Sequence, residues 1–267
     1  MLALHGFLDN CGTFDRLFPL LNAKSIVAID IPGHGFSSHI PDGIFYNYLD
    51  ILFWLRSLIK GHFNWDRVDL LGHSFGSSLA YFYSSLYPND VGKFVSIDCA
   101  RYAIAPTPEN FRMKLKASFD GNPDAKNKQN VQLDFKEHYD DFVNFRLIKN
   151  CPLTDDAYEA LIKREVKEVA PNKFIRTSDL RLLACYKGTF ALEFIEAAAK
   201  QIKCSVLSIR ASRGILANNF INYEKHLDLM KSSCQKLVRL DVEGSHHVHL
   251  ETPVLIADQI NEFLLEK

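Results

Sequence analysis

Leu70-Leu71-Gly72-His73-Ser74-Phe75-Gly76 runs from a short apolar stretch into G-x-S-x-G, and the residues that follow, Phe75 to Leu86, carry apolar side chains at helical spacing. A serine placed on a sharp strand-to-helix turn is held in strained backbone angles with its hydroxyl presented outward. Gly72 and Gly76, two positions to either side, allow the strand and the helix to approach each other. The helix also turns the positive end of its dipole toward an oxyanion formed beside Ser74. A plain glycine-rich strand end is the alternative reading, and the strand before and helix after argue against it.

Outward from this turn, apolar runs bounded by Gly, Pro and Asp alternate with longer helical patterns. Met1 to Leu4, Ser25 to Asp30, Val68 to Leu71, Phe94 to Asp98, Ser205 to Ile209 and Leu237 to Val242 read as strands. Tyr46 to Ile59, Phe75 to Leu86 and Pro253 to Leu265 read as amphipathic helices. The alternation predicts an α/β fold, a mostly parallel sheet flanked by helices, with ligand sites at the carboxyl ends of its strands. Residues 1–100 and 203–267 supply this core.

Residues 101–202 break the rhythm, being rich in helix formers and charged side chains. They are expected to form a helical cap insertion without strands, with helices over Asp156 to Val169 and Thr189 to Lys200. The polar run from Asp120 to Asn130 is expected to be a mobile loop.

Composition narrows the function classes. At 267 residues, 47% hydrophobic and 24% charged, the chain is long enough for one catalytic domain with an insertion. A net charge of -1 with scattered Lys and Arg argues against a nucleic-acid footprint. No stretch approaches the ~18 apolar residues of a membrane span, and neither a secretory leader nor a peroxisomal tripeptide is read. A cytoplasmic placement is the simplest expectation, with peroxisomal or vesicle-associated placement as the alternatives. Cys11, Cys99, Cys151, Cys185, Cys204 and Cys234 form no C-x-x-C pair and read as reduced thiols. No cofactor and no metal are expected, and His247 and His249 have no obvious carboxylate partner in the sequence.

Three segments carry a resemblance: Leu2-Ala3-Leu4-His5-Gly6-Phe7, the G-x-S-x-G turn, and Glu243-Gly244-Ser245-His246-His247-Val248-His249-Leu250-Glu251-Thr252-Pro253. Together they resemble the α/β-hydrolase fold superfamily, with its serine, acid, histidine order. His5-Gly6-Phe7-Leu8-Asp9-Asn10 with Thr13-Phe14-Asp15, Ser178-Asp179-Leu180-Arg181-Leu182 and Gly244-Ser245-His246-His247-Val248-His249 are similar to the serine hydrolase-like protein group within it. Asp30-Ile31-Pro32-Gly33-His34-Gly35-Phe36-Ser37 resembles another family signature, and here the structural reading, a loop shaped by Gly and Pro, is preferred.

The resemblance implies Ser74 as nucleophile and the N–H groups of Phe7 and Phe75 as oxyanion donors. Its register selects His246 as the base, five residues before Glu251 and seven before Pro253. Most relatives carry the acid after the penultimate strand, but Cys204 to Tyr223 contains no carboxylate. A minority place it one strand earlier, which selects Asp98, with Glu243 as the next candidate. An Asp that merely caps a turn is the bland reading of Asp98. Relatives also begin with two further strands, so N-terminal strands are expected to be missing and this form to be less stable. The expected function is a serine hydrolase cleaving a small-molecule carboxylic ester, or a thioester, through an acyl-enzyme. Carbon–carbon bond cleavage stands behind these. The alternative from another class is a catalytically weak or silent protein binding a small apolar ligand or a partner.

Overall fold

The computed structural model describes residues 1–99, 108–120, 125–148, 152–184, 190–217 and 220–266. In chain order the core begins β1 (Leu2–Leu4), β2 (Val27–Ile29), α1 (Tyr48–Arg56), β3 (Val68–His73), α2 (Phe75–Leu86) and β4 (Val91–Ile97). It resumes with β7 (Ser205–Arg213), α8 (Phe220–Lys231), β8 (Leu237–Ser245), α9 (Val248–Glu251) and α10 (Val254–Leu265). Between the two parts lie α3 (Pro108–Asp120), α4 (Ala125–Gln129), α5 (Phe135–Ile148), α6 (Asp155–Glu165), β5 (Val166–Ala170), β6 (Lys173–Arg176) and α7 (Leu192–Ala199).

The sheet has the order β2-β1-β3-β4-β7-β8, and every neighbouring pair is parallel. Alternation along each strand sends side chains to two cores, as the period of two requires. Leu2, Leu4, Leu70, Phe94 and Val206 pack on one face with α1, α2, α7 and α8. Ala3, Leu71, Val95, Ile97 and Leu207 pack on the other with α10 and the turns around Phe14 and Leu17. Both faces are covered, which is why the strands read as near-continuous apolar runs.

Two expectations for the segment between β4 and β7 are corrected. It contains strands: β5 and β6 pair antiparallel, with Val166 opposite Arg176. The helix read through to Val169 stops at Glu165: Val166 is already extended, at φ -127 and ψ 149, and Asn172, at φ +54, closes the turn that folds β6 back onto β5. Part of the expected loop is helix α4, and Gln129 is tied down. Its amide donates to the carbonyls of Ser178 (3.0 Å) and Arg176 (3.3 Å), and its Oε1 accepts from the Leu180 N–H at 2.8 Å. Residues 121–124 of that run lie outside the described residues. Among the described residues no helix is long and apolar enough to cross a membrane.

Candidate active site

Ser74 stands between β3 and α2 at φ +50 and ψ -113, a conformation that costs a non-glycine residue about 1–3 kcal/mol. It is held from both sides, its N–H donating to the Ile97 carbonyl at 3.1 Å and its carbonyl accepting from the Ser78 N–H at 3.1 Å. The flanking glycines are steric necessities. A Cβ on Gly76 would lie 2.0 Å from the Leu4 carbonyl oxygen, and one on Gly72 would lie 2.5 Å from the Ser77 backbone. Phe75 opens α2, so its N–H is among those that a helix leaves without an intrahelical partner. Phe7 lies just past β1, and its ring packs edge-on against that of Phe75, with centroids 5.7 Å apart.

Asp98 and His246 arrive from the tips of β4 and β8. The sheet ladder runs one step beyond β4, the Asp98 N–H donating to the Ile209 carbonyl at 2.8 Å. Asp98 then turns at φ +47. Its side chain is fully buried, with Oδ1 accepting from the Ala211 N–H at 3.1 Å and Oδ2 from the Ile215 N–H at 2.8 Å. Oδ2 also lies 2.6 Å from Nδ1 of His246. A carboxylate so surrounded by donors accepts here too, which places the imidazole proton on Nδ1 and leaves Nε2 as a lone pair. Glu243, by contrast, is exposed and paired with Arg213. Glu251 accepts from the Ser245 hydroxyl and the Thr154 N–H and takes no part in this contact.

Ser74 and His246 line a cavity of about 300 Å³ together with Gly6, Phe7, Leu8, Asp9, His73 and His247 from the core side. Phe145 of α5, its neighbour Arg146, and Leu183 close it from the segment between β4 and β7. Asp98 lies behind His246, outside this lining. The structure therefore brings Ser74, His246, Asp98 and Phe7 together, with Phe75 at the helix start beside them.

Behind Ser74 lies a buried polar cluster whose meaning the sequence did not disclose. His73 packs its ring 4.6 Å from His246, 4.8 Å from His247 and 4.1 Å from His249. Its Nε2 donates to the His246 carbonyl at 3.0 Å. Asp9 supplies the carboxylate that His247 lacked in the sequence, with Oδ2 3.2 Å from His247 Nε2 and 3.4 Å from His73 Nδ1. Its Oδ1 takes the Arg146 guanidinium at 2.5 Å. Burial alone would raise the Asp9 carboxyl, but Arg146 and His247 bring it well below the usual range. Burial pushes His247 down to about 3 and lowers His73 and His249 as well. His249 shares a hydrogen bond of 2.8 Å with the Thr13 hydroxyl. Asp9 and Thr13 lay in quoted motifs without an assigned role; Arg146 had no sequence signal at all.

The loop from Asp30 to Ser37 has the structural role assigned to it. Asp30 accepts from the N–H groups of Cys11 (2.7 Å) and Phe36 (2.8 Å), and from Arg164 of α6 at 2.6 Å. Burial opposes these contacts, and they hold its carboxyl down at about 2. Asp179 accepts from Tyr46 at 2.9 Å and from Arg181, whose guanidinium also reaches the Ile40 carbonyl at 2.6 Å. Cys11, Cys204 and Cys234 are free thiols, Cys99 is buried, and burial raises Cys204 to about 12; Cys151 and Cys185 lie outside the described residues.

A parallel sheet whose strand tips present a serine elbow, an acid and a histidine in that chain order defines an α/β-hydrolase fold protein, and the model of the alpha/beta hydrolase fold family matches residues 1–253. The chain belongs to the serine hydrolase-like group of that family. A Drosophila melanogaster protein named "Probable serine hydrolase" is 35% identical over 100% of this chain and 81% of its own length. A Danio rerio protein named "Serine hydrolase-like protein" is 32% identical over 99% and 81%. Among solved structures, a hypothetical protein from Pseudomonas aeruginosa superposes with a TM-score of 0.79 at 24% identity, covering 98% of this chain and 89% of that one. The thioesterase domain from the curacin biosynthetic pathway reaches 0.73 at 18% identity, covering 97% and 89%.

Proposed function

We propose that the protein is a serine hydrolase that cleaves a small-molecule carboxylic ester or thioester through an acyl-enzyme. The observation that carries this reading is the hydrogen bond of 2.6 Å from His246 Nδ1 to the buried Asp98. It leaves Nε2 as a base in the cavity that Ser74 also lines. The Ser74 hydroxyl oxygen attacks the acyl carbonyl carbon while its proton passes to His246 Nε2. The N–H groups of Phe7 and Phe75 hold the oxyanion. His246 returns the proton to the departing alcohol or thiol, and water, deprotonated by the same imidazole, then releases the acid and restores Ser74.

Asp98 orients the imidazole and stabilises its charged form, so the base is poised by the β4 tip rather than by the strand after it. A serine at the elbow disfavours chemistry that runs through an alkyl ester on a carboxylate nucleophile. The names of the relatives and the thioesterase fold neighbour support the acyl class. We read residues 101–202 as a cap, because Phe145, Arg146 and Leu183 close the cavity and so shape what enters it.

The test is a fluorophosphonate probe followed by peptide mapping, and then a series of nitrophenyl esters of graded chain length. Rapid labelling on the Ser74 peptide, lost in Ser74→Ala with the fold retained, is the expected result. Labelling that survives Ser74→Ala, or an unreactive wild type, would overturn the assignment.

A further inference from the structure

We infer that Asp9, His73 and His247 form a binding site for a divalent transition-metal cation, zinc by its donor set. This site is distinct from the Asp98–His246 pair. Asp9 Oδ2, His73 Nδ1 and His247 Nε2 all lie within 4.8 Å of one another, on three fully buried residues. Around tetrahedral zinc, with bonds of about 2.0–2.1 Å, neighbouring donor atoms stand about 3.3 Å apart. The carboxylate oxygen is 3.4 Å from His73 Nδ1 and 3.2 Å from His247 Nε2. Two of the three donor separations already match, and imidazole with carboxylate favours zinc over magnesium or calcium.

The orientation of His73 is an independent observation. Its Nε2 lies 3.0 Å from the His246 carbonyl, which can only accept. A neutral His73 therefore presents a lone pair at Nδ1 to the carboxylate of Asp9, and that buried nitrogen makes no hydrogen bond. Two lone pairs facing each other at this distance repel, and a cation between them turns the repulsion into two bonds. A ligating imidazole ordinarily donates its other N–H to a carbonyl or carboxylate, as His73 does here, and a ligating carboxylate is held by further hydrogen bonds. Arg146 supplies the latter on Oδ1 at 2.5 Å, leaving Oδ2 turned to the imidazoles. All three ligand residues line the cavity, which gives the ion a way in and leaves its fourth position open.

Zinc is counted without reference to turnover, so this inference and the hydrolase reading fail separately. Untagged protein, stripped with a chelator, is titrated with zinc against a chromogenic chelator, alongside His73→Gln, His247→Gln and the surface variant His62→Gln. The expected result is one zinc per chain in wild type and His62→Gln, weakened at least ~10-fold in the two cluster variants, the loss seen for even a supporting contact at a metal site. Cobalt added to wild type should give the intense visible absorption of a four-coordinate site, a readout that needs no variant to fold. Absence of stoichiometric zinc, equal affinity in both cluster variants, or only the weak spectrum of six-coordinate cobalt would each overturn the inference, a proton then being what separates Asp9 from His73.

Discussion

The carboxylate of Asp98 occupies the space that a side chain at Gly214 would need, because a Cβ built there would lie 2.0 Å from Oδ2 and 2.3 Å from Oδ1. Gly214 follows β7 and Asp98 follows the neighbouring β4, so two adjacent strand tips contend for one acid position. Only a residue without a side chain at 214 lets the β4 tip supply the acid that faces His246.

Gly214→Ala should therefore push the carboxylate off the imidazole while leaving every catalytic group in the chain. A displacement of about 1 Å can cost about 10²-fold in rate. The rate of fluorophosphonate labelling, compared with wild type at equal thermal stability, measures it. An unchanged rate would mean that His246 does not depend on where Asp98 sits.

Asp98→Asn keeps the shape of the pair and removes its charge, so the imidazole loses its enforced tautomer and kcat should fall roughly 10⁴-fold, as in serine proteases. Asp98→Ala empties the contested volume. Adding Gly214→Asp to that variant should recover ~10-fold or more, because the acid then arrives from the tip of β7. Ester turnover by the single and double variants decides it, and a double variant no faster than Asp98→Ala would sink the shared-position account.

The elbow was legible because its requirements are local: Gly72, Ser74 and Gly76 lie within five residues and the flanking periods change from two to 3.6. The order of apolar runs disclosed the parallel sheet for the same reason. The β5–β6 hairpin was missed because Val166-Lys167-Glu168-Val169 places its apolar residues three apart, as a helix does, and shows no alternation; only Pro171-Asn172 marks the turn. Asp9 and His247 meet across 238 positions, a contact that neither motif announces. Arg146 sits in a charged, helix-forming stretch like many others, and its place in the cavity comes from how α5 packs rather than from its neighbours in sequence.

Gly76→Ala tests the closeness of strand and helix without touching a titratable group. The added Cβ would overlap the Leu4 and His5 carbonyls, at 2.0 Å and 2.7 Å. These are backbone atoms of a sheet strand and its immediate extension, so they cannot swing aside. Overpacking of this kind typically costs about 1–3 kcal/mol. A urea midpoint equal to that of wild type would show that β1 and α2 can separate freely.

His34 should make the protein lose stability in mild acid. Its Nδ1 lies 3.2 Å from the carbonyls of Ile31 and of Pro32, so the proton sits there, and its Nε2 is buried without a hydrogen-bond partner. Around it stand the rings of His5 at 5.0 Å and Phe7 at 5.8 Å. Asp9 is the acidic group that acts on it. Burial, reinforced by His5, pushes its pKa down to about 3, against 6.5 in the unfolded chain. Between those values the unfolded chain binds a proton that the folded one refuses, so stability rises with pH there. The contribution is complete above 6.5 and is lost as the pH falls toward about 3. One such group gives a slope of about 1.4 kcal/mol per pH unit. Urea unfolding between about pH 6 and 4 should show a slope smaller by that amount in His34→Gln than in wild type. Parallel stability curves for the two proteins would mean that His34 takes up its proton in the folded state as readily as in the unfolded one.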